Sequence, residues 1–161
     1  MTKRDTLRDY ITKLYDLMGA EQCPIEYRIL REFGTYMNSQ THSVNGTMTL
    51  GECYSNAYKM LEDPVYRYCE GYATSTSLGI PLAHAWVVDK DNNVVDPTWK
   101  DGDQYFGVAF DSMFLYKTLI KTKHHGVFGN LYRMRIRTPE DCVLYLKNGL
   151  FKGGVGESVA V

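Results

Sequence analysis

The stretch TLGECYSNAYKML, residues 49–61, decides how this chain is read. Gly51 punctuates it, and the spacing predicts a helix from about Cys53 to Leu61. Cys53, Ala57, Met60 and Leu61 fall on one side, at offsets of four, seven and eight. Pro64 closes the helical region. Cys53 therefore stands at a helix start, where free backbone N–H groups and the helix dipole favour a thiolate. Gly51 permits a sharp turn from loop into helix. The backbone N–H of Cys53 is a natural donor to a developing oxyanion. Tyr54 or a side chain of the polar 38–47 loop is a candidate for the second donor.

Reading outward, VYRYCEGYAT (65–74) is rich in strand formers with partial alternation, and a turn follows around Gly79–Pro81. AHAWVVD (83–89) reads as a second strand, KDNN (90–93) as a tight turn and VVDP (94–97) as the return strand. Three successive strands after a helix predict an α+β fold, with an antiparallel sheet packed on helices. In a hairpin centred near Lys90 and Asp91, His84 and Asp96 come close to opposite each other. A carboxylate in that position orients an imidazole and fixes its tautomer. The candidate catalytic set is Cys53 as nucleophile, His84 as base and then acid, and Asp96 as the group that holds His84. Each residue also has a bland role. A lone cysteine on an apolar helix face is most often core, and an aspartate before Pro97 is a common turn device.

The segments GECYSNA (51–57), RYCEGYA (67–73), HAWVVD (84–89) and VVDPTW (94–99) strongly resemble the core of the transglutaminase-like superfamily. Gly51, Cys53 and Tyr54 match its glycine-x-cysteine-aromatic helix start, with tyrosine where tryptophan is common. Gly71–Tyr72 looks like its glycine–tyrosine strand end. His84, Ala85 and Trp86 look like its histidine motif, and Asp96, Pro97 and Thr98 like its aspartate motif. The match covers roughly residues 48–100, in the family's order of cysteine, histidine and aspartate. The compact form resembles small uncharacterised bacterial or phage proteins of this superfamily more than calcium-dependent transglutaminases. The resemblance implies a papain-like α+β fold, with the cysteine helix on an antiparallel sheet. It implies attack by thiolate on an amide or ester carbonyl, then transfer of the acyl group to water or an amine. The superfamily includes peptidases, crosslinking transglutaminases, peptide N-glycanases and relatives that have lost catalysis. The expected activity is thus a thiol-dependent amide-bond hydrolase or acyl transferase with a peptide or protein substrate. Two alternatives stay open: a non-catalytic binding protein that keeps the fold, and acyl transfer to a small amine. The chemistry requires no cofactor, and no phosphate-binding glycine motif is present in the sequence.

Other residues carry weaker signals. Glu52, Tyr54, Trp86 and Trp99 are candidates to line a substrate cleft, against a solvated acid and ordinary core aromatics. Asn56 is suited to capping a backbone group, and Cys69 fits its strand's alternation poorly and reads as structural. The pair His124–His125 invites a metal reading, but no cysteine pair completes a zinc pattern.

Elsewhere, residues 3–37 form an N-terminal helical portion. One helix spans 3–18 with Leu7, Tyr10, Ile11, Leu14, Tyr15 and Met18 on its apolar face. A second starts at Pro24, with Ile25, Ile29, Leu30, Phe33 and Met37 on its apolar face. Residues 104–110 read as a strand or an ordered loop, and 111–121 as a helix capped by Asp111. A helix over 138–150 has Thr138 as cap, Pro139 at its first position and Gly149 near its stop. Residues 151–161 read as a flexible tail.

The 161 residues suit one domain with a real core, and the hydrophobic fraction of 44% is that of a globular protein. A net charge of -1 with mixed signs gives nucleic-acid binding no electrostatic support. Four cysteines without a CxxC pair favour reduced thiols and a cytoplasmic setting. No signal-peptide h-region and no apolar run long enough for a membrane span is expected.

Overall fold

The architecture follows from β2, Arg67–Ser75, which is buried on both faces in the computed structural model; this describes residues 5–39 and 41–153. Successive strand side chains part to opposite faces. Tyr68, Glu70 and Tyr72 point one way; Cys69, Gly71 and Ala73 point the other. The first set packs toward the helices with Leu7, Ile11, Ile29, Leu30, Leu115 and Leu146. The second set joins a separate core of Met37, Trp86, Val88, Val94 and Tyr105. This explains the poor alternation around Cys69: a strand covered on both faces has no polar side.

The sheet is antiparallel, with five strands in the order β1-β5-β2-β3-β4. The others are β1 (Thr35–Met37), β3 (Leu82–Val88), β4 (Val94–Val95) and β5 (Gly102–Ala109). The chain leaving β1 then bridges to the opposite edge. Asn38 N–H donates to Asn92 O at 2.9 Å, and Val94 N–H donates to Asn38 O at 2.8 Å. The sheet therefore curls until its two edges meet, and the second core lies inside the curl. The small inward residues Cys69, Gly71, Ala73, Gly107 and Ala109 leave room there for Trp86 and Tyr105.

Helices α1 (Asp5–Met18), α2 (Ile25–Phe33), α3 (Cys53–Met60), α4 (Ser112–Thr122) and α5 (Pro139–Gly149) contribute to the outer core, and a 3-10 helix spans Phe128–Met134. Asp111 and Thr138 cap α4 and α5, accepting from the N–H groups of Phe114 and Asp141. The expected mixed fold of helices on an antiparallel sheet is present. No helix among the described residues is long and apolar enough to cross a membrane.

Two expectations need correction, and one open alternative is decided. The second helix stops at Phe33, and Met37 belongs to β1, because Thr35–Met37 pairs with Gly107–Tyr105 of β5. Of the two readings of residues 104–110, the strand is the one present: Gly102–Ala109 lies between β1 and β2. The hairpin register is also shifted. Val87 faces Val95 and Val88 faces Val94, so the continued register puts Trp86 across from Asp96. His84 is then the diagonal neighbour of Asp96 on the same face. The expected tail of 151–161 lies mostly outside the described residues, as do the first residues of the expected 3–18 helix.

Candidate active site

Three elements converge on Cys53, His84 and Asp96. Cys53 is the first residue of α3, and Gly51 makes the turn before it at φ +84°. That left-handed conformation favours glycine over residues with a Cβ. The loop before α3 is knitted to the strand end that carries Asp96. Gly46 N–H donates to Asp96 O at 3.0 Å, and Met48 N–H to Pro97 O at 2.9 Å. Asn56, buried in α3, donates through Nδ2 to Thr49 O at 2.8 Å and to Thr98 Oγ1 at 2.9 Å. Helix α3 is thereby pinned to the turn following Asp96.

Asp96 has 0% exposure, and its carboxylate has four partners. Oδ1 accepts from the N–H groups of Thr98 and Trp99, both at 3.0 Å. Oδ2 meets His84 Nε2 at 2.8 Å and accepts from the Tyr105 hydroxyl at 2.6 Å. A buried charge needs this degree of compensation. The Asp96 N–H donates in turn to Asn45 Oδ1 at 3.0 Å.

While Nε2 of His84 is turned to Asp96, the imidazole also has Cys53 as a side-chain hydrogen-bond partner. The imidazole is 2% exposed. Burial opposes its charged form, but hydrogen bonds to Asp96 and Cys53 and the charges of both outweigh it, so its pKa is pushed up to about 9. The ring of Trp99 stacks on it at 3.7 Å between centroids and 15° between planes. Trp99 thus covers a face of the imidazole and favours its cationic form.

The candidate cleft residues separate. Trp99 reaches the site. Trp86 is fully buried inside the curled sheet, with Nε1–H donating to Met37 Sδ at 3.1 Å, so it packs behind His84 instead of lining an open cleft. Glu52 is exposed at the α3 cap and makes no capping side-chain bond. Tyr54 packs into the outer core near Gly126, and burial, with Glu70 and Cys53 nearby, pushes its hydroxyl pKa well up. Burial raises the thiol pKa of Cys23, Cys69 and Cys142, and Cys69 belongs to the inner core with Trp86 and Tyr105. All four cysteines are free. His124 and His125 are exposed in a turn after α4, with His125 edge-on against Tyr58. Among the described residues no three metal-ligating side chains gather.

Tyr105 and Asn45 escaped the sequence reading, since only long-range pairing carries them to Asp96. Glu70 escaped it as well. It is buried beneath the helices, where its carboxylate accepts from the Tyr68 hydroxyl at 2.8 Å and from the N–H groups of Val127 at 2.6 Å and Phe128 at 3.2 Å. Burial, against those hydrogen bonds, pushes its pKa up to about 7. Its position between Tyr68 and Tyr72 in strand alternation was the available signal. No protein-family profile, curated protein or solved structure matches the chain.

Proposed function

We propose that the protein is a thiol-dependent acyl-transfer enzyme that cleaves or rearranges an amide bond in a peptide or protein. The observation that carries this reading is the buried His84–Asp96 pair, held at 2.8 Å, with Cys53, at a helix start, as a further hydrogen-bond partner of the imidazole. The resemblance of residues 48–100 to the transglutaminase-like superfamily supports the same reading, and with it a papain-like topology. Four free thiols suit the reducing interior of a cell.

In this mechanism Cys53 Sγ attacks the carbonyl carbon as thiolate. The backbone N–H of Cys53 meets the developing oxyanion at the helix start. The His84 imidazolium gives its proton to the leaving amine, and an acyl-thioester on Cys53 results. Water or a second amine then attacks the thioester, and His84 takes up its proton. Asp96 holds the ring orientation throughout.

The test is direct. Iodoacetamide should alkylate Cys53 at least tenfold faster than Cys142 in the native protein, read by peptide mass spectrometry. Cys53→Ala should retain the fold and lower turnover of a fluorogenic peptide library below about 10⁻³ of wild type. Equal slow labelling of the cysteines would refute an activated thiol. Product analysis with and without an added primary amine distinguishes hydrolysis from transfer.

A further inference from the structure

A groove of about 510 Å³ opens beside the candidate site, with Leu50, Ser75, Leu78, Thr98, Trp99 and Lys100 among its walls. Trp99 belongs to both places: one face of its ring covers His84, and its side chain walls the groove. Leu50 precedes Cys53 by three residues in the turn that leads into α3. The groove therefore adjoins the site through Trp99, which it shares with His84, and through the turn that leads to Cys53.

Its apolar side chains are held out toward solvent. Leu50 is 73% exposed and Leu78 is 54% exposed. Isolated exposed leucines need no explanation, but two converging on one groove beside a thiol mark a contact surface. The Leu78 wall is also preformed. Asp101 Oδ2 accepts from Ser77 N–H at 3.1 Å and from Thr76 Oγ1 at 3.2 Å, and Ser75 Oγ accepts from Leu78 N–H at 3.1 Å. Thr76 N–H donates to Asp101 O at 3.0 Å, and Gly79 N–H to Ser75 O at 2.9 Å. This network fixes the backbone of the turn that carries Leu78. A rigid wall of this kind lowers the ordering cost of binding.

We infer that the groove formed by Leu50, Leu78 and Trp99 is a subsite for a bulky apolar side chain next to the carbonyl that Cys53 attacks. The inference rests on the proposed thiol chemistry and names the substrate class: peptides with an aliphatic or aromatic residue beside the reacting bond. Charged residues at that position gain less, because the leucines and the indole that form the subsite offer them no partner to replace water, and Lys100 and Asp101 on the groove's walls are opposite in sign and so favour neither charge.

Alkylation with tailed iodoacetamides tests the subsite without a known substrate. N-benzyl-iodoacetamide, a carboxylate-tailed analogue and an ammonium-tailed analogue are each compared with plain iodoacetamide on Cys53. After correction for the reagents' rates with free cysteine, the benzyl reagent should exceed both charged ones by at least tenfold. In Leu50→Asp and Leu78→Asp, each normalised to plain iodoacetamide on the same variant, that preference should fall to within about twofold of unity. A wild-type ratio near unity, or a preference that survives both substitutions, overturns the subsite. Failure of the thiol reading has a different signature: plain iodoacetamide then labels Cys53 no faster than Cys142.

Discussion

At the residue scale, the carboxylate of Asp96 decides what His84 can do. It spends Oδ1 on two backbone N–H groups and Oδ2 on His84 and Tyr105. Asp96→Asn keeps an acceptor for the backbone but puts an amide donor, without charge, against the imidazole and the tyrosine hydroxyl. Turnover should fall by about 10³- to 10⁴-fold, as tautomer loss does in related catalytic pairs. Tyr105→Phe removes one hydrogen bond to the same oxygen. It should cost about 1–2 kcal/mol in urea unfolding. It should also raise the pH at which His84 loses its proton, because the Asp96 oxygen that loses a donor holds the imidazolium more strongly; a merely structural role would leave that titration unmoved. The direction of the pH profile follows from the sign of the His84 shift. Its folded value of about 9 lies above an unfolded value near 6.5. The protonated ring therefore stabilises the fold fully below pH 6.5, and that contribution is lost as pH rises through 9. Acyl transfer, which needs the imidazolium as proton donor, should decline above about pH 9. Alkylation of Cys53, which needs no proton donor, should persist there.

At the element scale, local signals were readable and long-range ones were not. Thr138 with Pro139, and Asp111 before α4, announce helix starts through bonds that close within three residues. The positive φ of Gly51 was legible for the same reason. The two-residue shift of the β3–β4 hairpin was not, because either register keeps His84, Trp86 and Asp96 on one face. The alternation that identifies a face is blind to a slip of two. The position of β5 between β1 and β2 depends on contacts between residues about 30 to 70 apart in sequence, which no local pattern encodes. Two substitutions separate stability from site geometry. Thr138→Ala should lower stability by about 1 kcal/mol and leave Cys53 alkylation unchanged. At Gly102 an added Cβ would come within 1.7 Å of the Tyr105 hydroxyl. Gly102→Ala should therefore push Tyr105 off Asp96 and reproduce the shift in the His84 titration expected of Tyr105→Phe.

At the scale of the whole molecule, the sheet divides two buried carboxylates between its two cores. Asp96 lies with the inner core, and Glu70 lies under the helices, where it ties Val127 and Phe128 to β2. The folded pKa of Glu70, about 7, exceeds an unfolded value near 4.3. Its contribution to stability is full below pH 4.3 and is lost as pH rises through 7, a change of about 4 kcal/mol. Glu70→Gln lacks this titration and opposes donor to donor near Val127 or Phe128. The stability gap between wild type and Glu70→Gln, followed by urea unfolding, should narrow between pH 4.5 and pH 7.5; a constant gap would count against the protonated carboxyl. The folded chain also carries its own optical gauge. It has two tryptophans, and both stack on one imidazole, Trp99 at 3.7 Å and Trp86 at 6.1 Å. A protonated imidazole quenches indole emission by accepting an electron from the excited ring. The intrinsic fluorescence of the entire protein is therefore a label-free readout of whether a single histidine holds its proton.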